Sequence, residues 1–120
     1  MAASKITSNA DFVVEQGASG NWTYRKWKSG LVEAWYSGSI SVTTSPIGNI
    51  HRAAGLTLAI PSGLFNNTPT FTLANARQKQ ASWFSCNATA DSNIQLGLQI
   101  FAASALSSTN VPFSVYIVGS

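Results

Sequence analysis

Charge is what this sequence has least of. Seven Lys or Arg and four Asp or Glu among 120 residues amount to 9% of the chain, where an ordinary globular domain carries about 25%. Solubility therefore rests on Ser, Thr, Asn and Gln, a profile that suits an extracellular or virion β-structure better than a metabolic enzyme. The shortage narrows catalysis as well. Asp11, Glu15, Glu33 and Asp91 are the only acids, so a glycosidase pair has to come from them, and Glu15 with Glu33 is the combination open to it. The single histidine, His51, offers a base to any of many serines, an arrangement that almost every sequence contains. The single cysteine, Cys86, excludes an intramolecular disulfide, and with one His and scattered acids it leaves no spaced metal-ligand cluster. No enzymatic activity, no metal and no cofactor are expected. No apolar run approaches the ~20 residues of a transmembrane helix, so no membrane insertion is expected. Residues 1–5 lack the hydrophobic stretch of a Sec-type signal peptide, and none is expected.

Aromatic residues are what is there in its place. The stretch Trp22-Thr23-Tyr24-Arg25-Lys26-Trp27-Lys28-Ser29-Gly30-Leu31-Val32-Glu33-Ala34-Trp35-Tyr36 holds three of the four tryptophans and three of the seven basic residues. Two aromatic and β-branched runs flank Ser29-Gly30, which predicts a β-hairpin with a tight two-residue turn and Gly30 at positive φ. That turn pairs Lys26 with Glu33, Tyr24 with Trp35 and Thr23 with Tyr36. It places Trp22, Tyr24, Lys26, Leu31, Glu33 and Trp35 on one face, and Thr23, Arg25, Trp27, Val32, Ala34 and Tyr36 on the other. Both faces carry aromatics, so both need cover, from the domain itself, from another subunit or from a ligand. Trp22 and Trp35 read as core; Trp27 and Tyr36, nearer the tip or edge, are the candidate exposed contacts.

The rest of the chain also alternates with period two. Residues 1–10 are small, polar and aperiodic, and are set apart as a linker or an artificial leader before a domain at 11–120. Strands are expected at 12–16, 39–43, 56–60, around Phe71 and Leu73, at 82–86, at 94–102 and at 113–118. Gly17-Ala18-Ser19-Gly20 reads as a loop, and Ser37-Gly38 as a break. In the later strands Ile94, Leu96, Leu98 and Ile100 share a face, and Phe113, Val115 and Ile117 form an inner face. Cys86 reads as a small buried hydrophobe beside Phe84 and Ser82. About nine short strands and almost no helix predict an all-β antiparallel sandwich, jelly-roll-like in type.

Three stretches, in order, carry a resemblance: Val13-Val14-Glu15-Gln16-Gly17 leading to Trp22-Thr23-Tyr24-Arg25-Lys26-Trp27 and a Gly-Leu-x-Glu-x-Trp strand; Ile60-Pro61-Ser62-Gly63-Leu64-Phe65 with Pro69-Thr70 behind it; and Phe113-Ser114-Val115-Tyr116-Ile117-Val118-Gly119. The chain resembles the C-terminal head domains of bacteriophage and prophage tail fibre and minor tail proteins. The resemblance implies a virion location at the fibre tip, a homotrimer, and docking of a host cell-surface glycan or anionic cell-wall polymer. The net charge of +3 and pI near 9.4 agree with an anionic partner.

Receptor contacts belong on irregular connections and not on the strands that build the core. The irregular segments are expected at 45–52, 66–68, 88–93 and 104–110. Asn49, His51 and Arg52 in the first combine hydrogen-bonding and cationic groups and are the leading candidates, with Trp27 and Tyr36 as exposed aromatics. The alternative drawn from aromatics and charge alone is a small single-stranded nucleic-acid binder, in which bases stack on the rings and cations meet phosphates.

Overall fold

The computed structural model describes residues 10–77 and 85–120, and the backbone alone of Phe84. Nine strands form two antiparallel sheets and no helix occurs among the described residues. They are β1 (Val13–Ser19), β2 (Trp22–Trp27), β3 (Val32–Val42), β4 (Ser45–Ile47), β5 (Ile50–Ala59), β6 (Phe71–Ala76), β7 (Phe84–Ala90), β8 (Gln95–Ala102) and β9 (Thr109–Gly119). The five-stranded sheet runs β1-β2-β3-β9-β6 and the four-stranded sheet β4-β5-β8-β7. The chain passes back and forth between the sheets as in a jelly roll. β3 and β6 each pair with β9, while β5 and β7 each pair with β8. The all-β sandwich expected from the period-two pattern is the fold found.

Alternation fills the space between the sheets. Val111, Phe113, Val115 and Ile117 of β9 face Leu96, Leu98, Ile100 and Ala102 of β8, and all are buried. Trp22, Val32, Ala34 and Val42 join them from β2 and β3, and Cys86 from β7. Leu64 and Phe65 plug the end where the chain closes, and there the amides of Asn66 and Asn67 donate to the carbonyl of Ser120 at 3.1 and 3.0 Å. Two bonds tie the sheets along their sides. Trp22 Nε1 donates to the Ala59 carbonyl at 3.0 Å, and Thr72 Oγ1 donates to the Ala88 carbonyl at 2.8 Å.

The tryptophan hairpin is present, but in a different register. Trp27 N donates to Leu31 O at 2.8 Å and Gly30 N donates to Trp27 O at 2.9 Å, so the loop is Lys28-Ser29-Gly30, three residues and not two. Gly30 has φ 95°, the left-handed residue that a three-residue hairpin loop requires. The extra loop residue slips every pair by one. Lys26 now faces Val32, Arg25 faces Glu33, Tyr24 faces Ala34 and Thr23 faces Trp35. Because side chains alternate, one step of register changes which residues share a face. Trp22, Tyr24, Lys26, Val32, Ala34 and Tyr36 point inward, and Thr23, Arg25, Glu33 and Trp35 point outward. Lys26 meets Glu15 at 4.0 Å and not Glu33.

Other boundaries moved for local reasons. The expected loop at residues 17–20 is strand as far as Ser19, turning at Gly20-Asn21 into β2. Gly38 does not break β3, because the ring of Tyr36 lies across it; a Cβ there would stand 2.7 Å from the Tyr36 hydroxyl. Residues 45–52 are no irregular loop. They form the β4–β5 hairpin, with Ile47 opposite Ile50 and Gly48-Asn49 at the turn. Residues 88–90 close β7, and Thr109 and Asn110 already belong to β9. Ile94 lies half exposed, ahead of β8 and outside its buried row. The expected strand around Ser82 and Trp83 falls partly outside the described residues; from Phe84 on it is β7.

Candidate functional site

The residues singled out in the sequence are not brought together. Asn49 caps the β4–β5 turn, and His51 and Arg52 follow on consecutive positions of β5, so their side chains leave opposite faces. His51 lies in the row of Ala102, on the core side, and no described group bonds to its buried Nδ1. Arg52 lies in the row of Phe101, on the solvent side of the four-stranded sheet. Tyr36 faces inward, its ring 5.2 Å from that of Trp22 and 5.4 Å from that of Phe113. Trp27 points outward beside the tip, half-buried, with Nε1 donating to Glu33 Oε1 at 2.7 Å. It sits at the Val32 end of β3, whereas the β4–β5 hairpin follows the Val42 end; ten residues of strand, roughly 33 Å, separate those ends. Glu15 and Glu33, the pair open to glycoside hydrolysis, lie on opposite faces of the five-stranded sheet, Glu15 in the row of Lys26 and Glu33 in the row of Arg25.

What the register slip creates is an aromatic shelf on the outer face of the five-stranded sheet. Trp35 of β3 stands opposite Tyr116 of β9 with ring centroids 5.4 Å apart, and Phe71 of β6 meets Tyr116 edge-on at 6.3 Å. Phe71 is 51% exposed and Leu73 beside it 59%, a large apolar area to leave in water. The Arg25 guanidinium lies 5.3 Å from the Trp35 ring centroid, the geometry of a cation–π contact. Glu33 anchors the shelf from its midline, accepting from Trp27 Nε1 and, at 2.5 Å, from the Tyr116 hydroxyl. That bond holds the Tyr116 proton and raises its pKa above the ordinary phenol value, with desolvation adding to the shift.

Two shallow clefts flank Trp35. One, of about 290 Å³, runs toward β6 between Trp35, Tyr116 and Leu73, with Asn21, Ser37, Asn75 and Ser114 at its polar positions. The other, of about 630 Å³, runs toward β1 between Trp35, Arg25, Gln16 and Thr23. An aromatic floor with amides and hydroxyls at its margins stacks a flat ligand and hydrogen-bonds its edge.

Sequence reasoning placed Trp35 in the core and gave Phe71 and Leu73 no outward role. The signal available was the alternation Phe71, Leu73, Asn75 against Thr72, Ala74, Ala76, in which the smaller residues turn out to face the core. Small inward residues let β6 lie close over β7, where Thr72 bonds to Ala88. Among the described residues no group of three His, Cys, Asp or Glu side chains is placed to hold a metal ion. None of the described helices is long and apolar enough to cross a membrane, since none occurs. No protein-family model, curated protein or solved structure matches the chain.

Proposed function

We propose that this domain is a receptor-binding head of the bacteriophage tail fibre type, displayed at the virion's fibre tip, which docks a host cell-surface saccharide on the Trp35 shelf. The observation that carries the reading is the shelf itself: Trp35 and Tyr116, half-buried with their rings side by side, and the exposed Phe71 edge-on to Tyr116, with a cation over the Trp35 ring and carboxamides at the margin. The CH-rich face of a pyranose carries slight positive charge and packs on the negative face of an aromatic ring. Arg25, the cation at the shelf, favours an anionic sugar or a phosphate-bearing cell-wall polymer. Glu33 at the midline disfavours a continuous phosphate backbone, which sets single-stranded nucleic acid behind the glycan. Binding is the role this reading assigns, and the pair open to glycoside hydrolysis, Glu15 and Glu33, is split between opposite faces of the sheet.

The head assembles as a homotrimer through its hairpin tip. Phe12, Val14 and Leu31 are exposed there, close to where the chain enters the domain, and burying them in a threefold contact removes apolar area that the sparse charge leaves uncovered. Light scattering reads a trimer if this holds, and a monomer at micromolar concentration overturns it.

Adhesion to host cells and binding on a glycan array test the site. Trp35→Ala is expected to weaken both by about tenfold or more, with trimer mass and melting temperature retained. The triple change Asn49→Ala, His51→Ala, Arg52→Ala is expected to leave adhesion in place. If the triple variant loses adhesion and Trp35→Ala keeps it, the site belongs at the β4–β5 hairpin. If oligonucleotide binding exceeds glycan binding and collapses with added salt, the glycan reading fails.

A further inference from the structure

The four-stranded sheet carries a second concavity on its outer face, independent of the aromatic shelf and unlike it in chemistry. Its volume is about 360 Å³, at the small end of the ~300–1,000 Å³ range of ligand pockets. Two features hollow it out. The bulge between Ala53 and Leu56 interrupts the pairing of β5 with β8, with Gly55 at φ 73° and open space where a Cβ would stand. At the centre of the floor, Gly97 has no side chain, and Asp91 leans over it: a Cβ on residue 97 would stand 3.1 and 3.4 Å from the two Asp91 carboxylate oxygens.

Around this floor stand Thr57 of β5, Gln99 of β8, and Asn87 and Thr89 of β7. Register puts Thr57, Gly97 and Thr89 in one row across three strands, and Gln99 beside Asn87 in the next. Two hydroxyls and two carboxamides therefore converge over a glycine floor, offering donors and acceptors in nearly equal number. Among the described residues the one charged group in the lining is Asp91. The ion pair formed among the described residues is Lys26 with Glu15, on the other sheet, so Asp91 has no described cationic partner. Arg52, the cation on this face among the described residues, lies in the row of Phe101, on the far side of the bulge from Thr57.

The geometry points to a binding site for a hydroxyl-rich ligand that bears a protonated amine, an amino sugar or a polymer of one. Hydroxyls of such a ligand exchange hydrogen bonds with Thr57, Thr89, Asn87 and Gln99, and its ammonium group meets the Asp91 carboxylate, which has no cationic partner among the described residues. Among the described residues the lining has no aromatic ring, so polar contact and charge, not stacking, select the ligand. A bare divalent cation fits poorly, since it asks for six or more oxygen ligands, several of them charged, and the cleft supplies one carboxylate.

The test is a titration followed by amide chemical shifts, using glucosamine, N-acetylglucosamine, glucose, ethanolamine and calcium chloride as separate probes on the intact chain. Glucosamine is expected to shift the amides of Thr57, Thr89, Gly97 and Gln99, and to bind more tightly than the two neutral sugars. Asp91→Asn is expected to lower glucosamine affinity about fivefold, as for an ion pair near the surface, while leaving the weaker glucose response as it was. Gln99→Ala is expected to weaken all three sugars. The proposal is overturned if no sugar moves these amides, if Asp91→Asn leaves glucosamine binding unchanged, or if ethanolamine or calcium alone produces the same shifts. Shifts confined to the surroundings of Trp35 also overturn it, and they leave the receptor reading standing.

Discussion

Glu33 is the residue on which the outer face turns, because one carboxylate takes hydrogen bonds from Trp27 and from Tyr116. Glu33→Gln keeps the shape but loses the charge, so Tyr116 should return toward the ordinary tyrosine pKa; an ultraviolet phenolate titration reads the change. Glu33→Ala removes both acceptors and should cost about 1–3 kcal/mol, measured by urea denaturation. Gly30 is constrained differently. At φ 95° a β-branched side chain is strained, so Gly30→Val should destabilise by more than about 1 kcal/mol, read as a fall in melting temperature. Cys86 is 4% exposed, and burial pushes its thiol up to about 11. A folded-state pKa raised above the unfolded value stabilises at lower pH, and that contribution drains away as pH rises from about 9 through 11. Tyr24 and Tyr116, also raised, act in the same direction from about pH 10. Melting temperature should fall over this window, less steeply between pH 9 and 10 in Cys86→Ala, and native Cys86 should resist a thiol reagent at pH 8 until the domain unfolds.

At the scale of elements, the hairpin tip is held by a clip from outside the hairpin. Asp11 accepts from the Ser29 amide at 3.0 Å and from the Ser29 hydroxyl at 2.6 Å, and the Lys28 amide donates to the Phe12 carbonyl at 2.9 Å. These bonds to Ser29 hold the Asp11 pKa below its ordinary value. A depressed carboxylate pKa stabilises above the unfolded value, near 3.8, and loses its effect as pH falls through the folded one. Asp11→Ala should therefore speed amide hydrogen exchange at Ser29 and Gly30 at neutral pH, leave β8 and β9 protected, and differ little from the parent once Asp11 is protonated. Equal exchange in the two proteins at neutral pH would show that the tip needs no clip. The clip also explains the register in physical terms. A three-residue loop with Ser29 outermost presents an amide and a hydroxyl to Asp11, and a two-residue turn at Ser29-Gly30 was all that the local glycine signal could specify.

On the scale of the whole molecule, stability is concentrated where β8 and β9 face each other, and among the described residues Phe113 and Phe65 are the largest side chains enclosed. Phe113→Ala should cost about 3–5 kcal/mol, a large share of the ~5–15 kcal/mol that holds a domain together, and calorimetry should show one cooperative transition at much lower temperature. The two outer faces do not share this load. One carries rings and apolar edges and the other a polar hollow, so changes at Trp35 or Asp91 should alter binding with little effect on melting.

The sequence by itself determined the fold class, through alternation in 113–118 and in 96–100 that only a sheet with one buried side satisfies. It also determined the hairpin, Gly30's positive φ and the burial of Cys86, because each depends on neighbours a few residues away. About nine strands were expected and nine are found among the described residues, yet with different members: β3 runs unbroken through Gly38, and the segment at 45–52 is a hairpin. Where both faces of a strand carry apolar side chains, tertiary structure alone decided which was covered. A period of two marks two faces without saying which one meets the opposite sheet. For Trp35 that choice hung on a single extra loop residue at the clipped tip, and for Phe71 and Leu73 on the close approach of β6 to β7. The pairing of β3 with β9 joins Val32 to Gly119 across most of the chain. Such contacts are selected by the packing of the complete core, which no local stretch of sequence encodes.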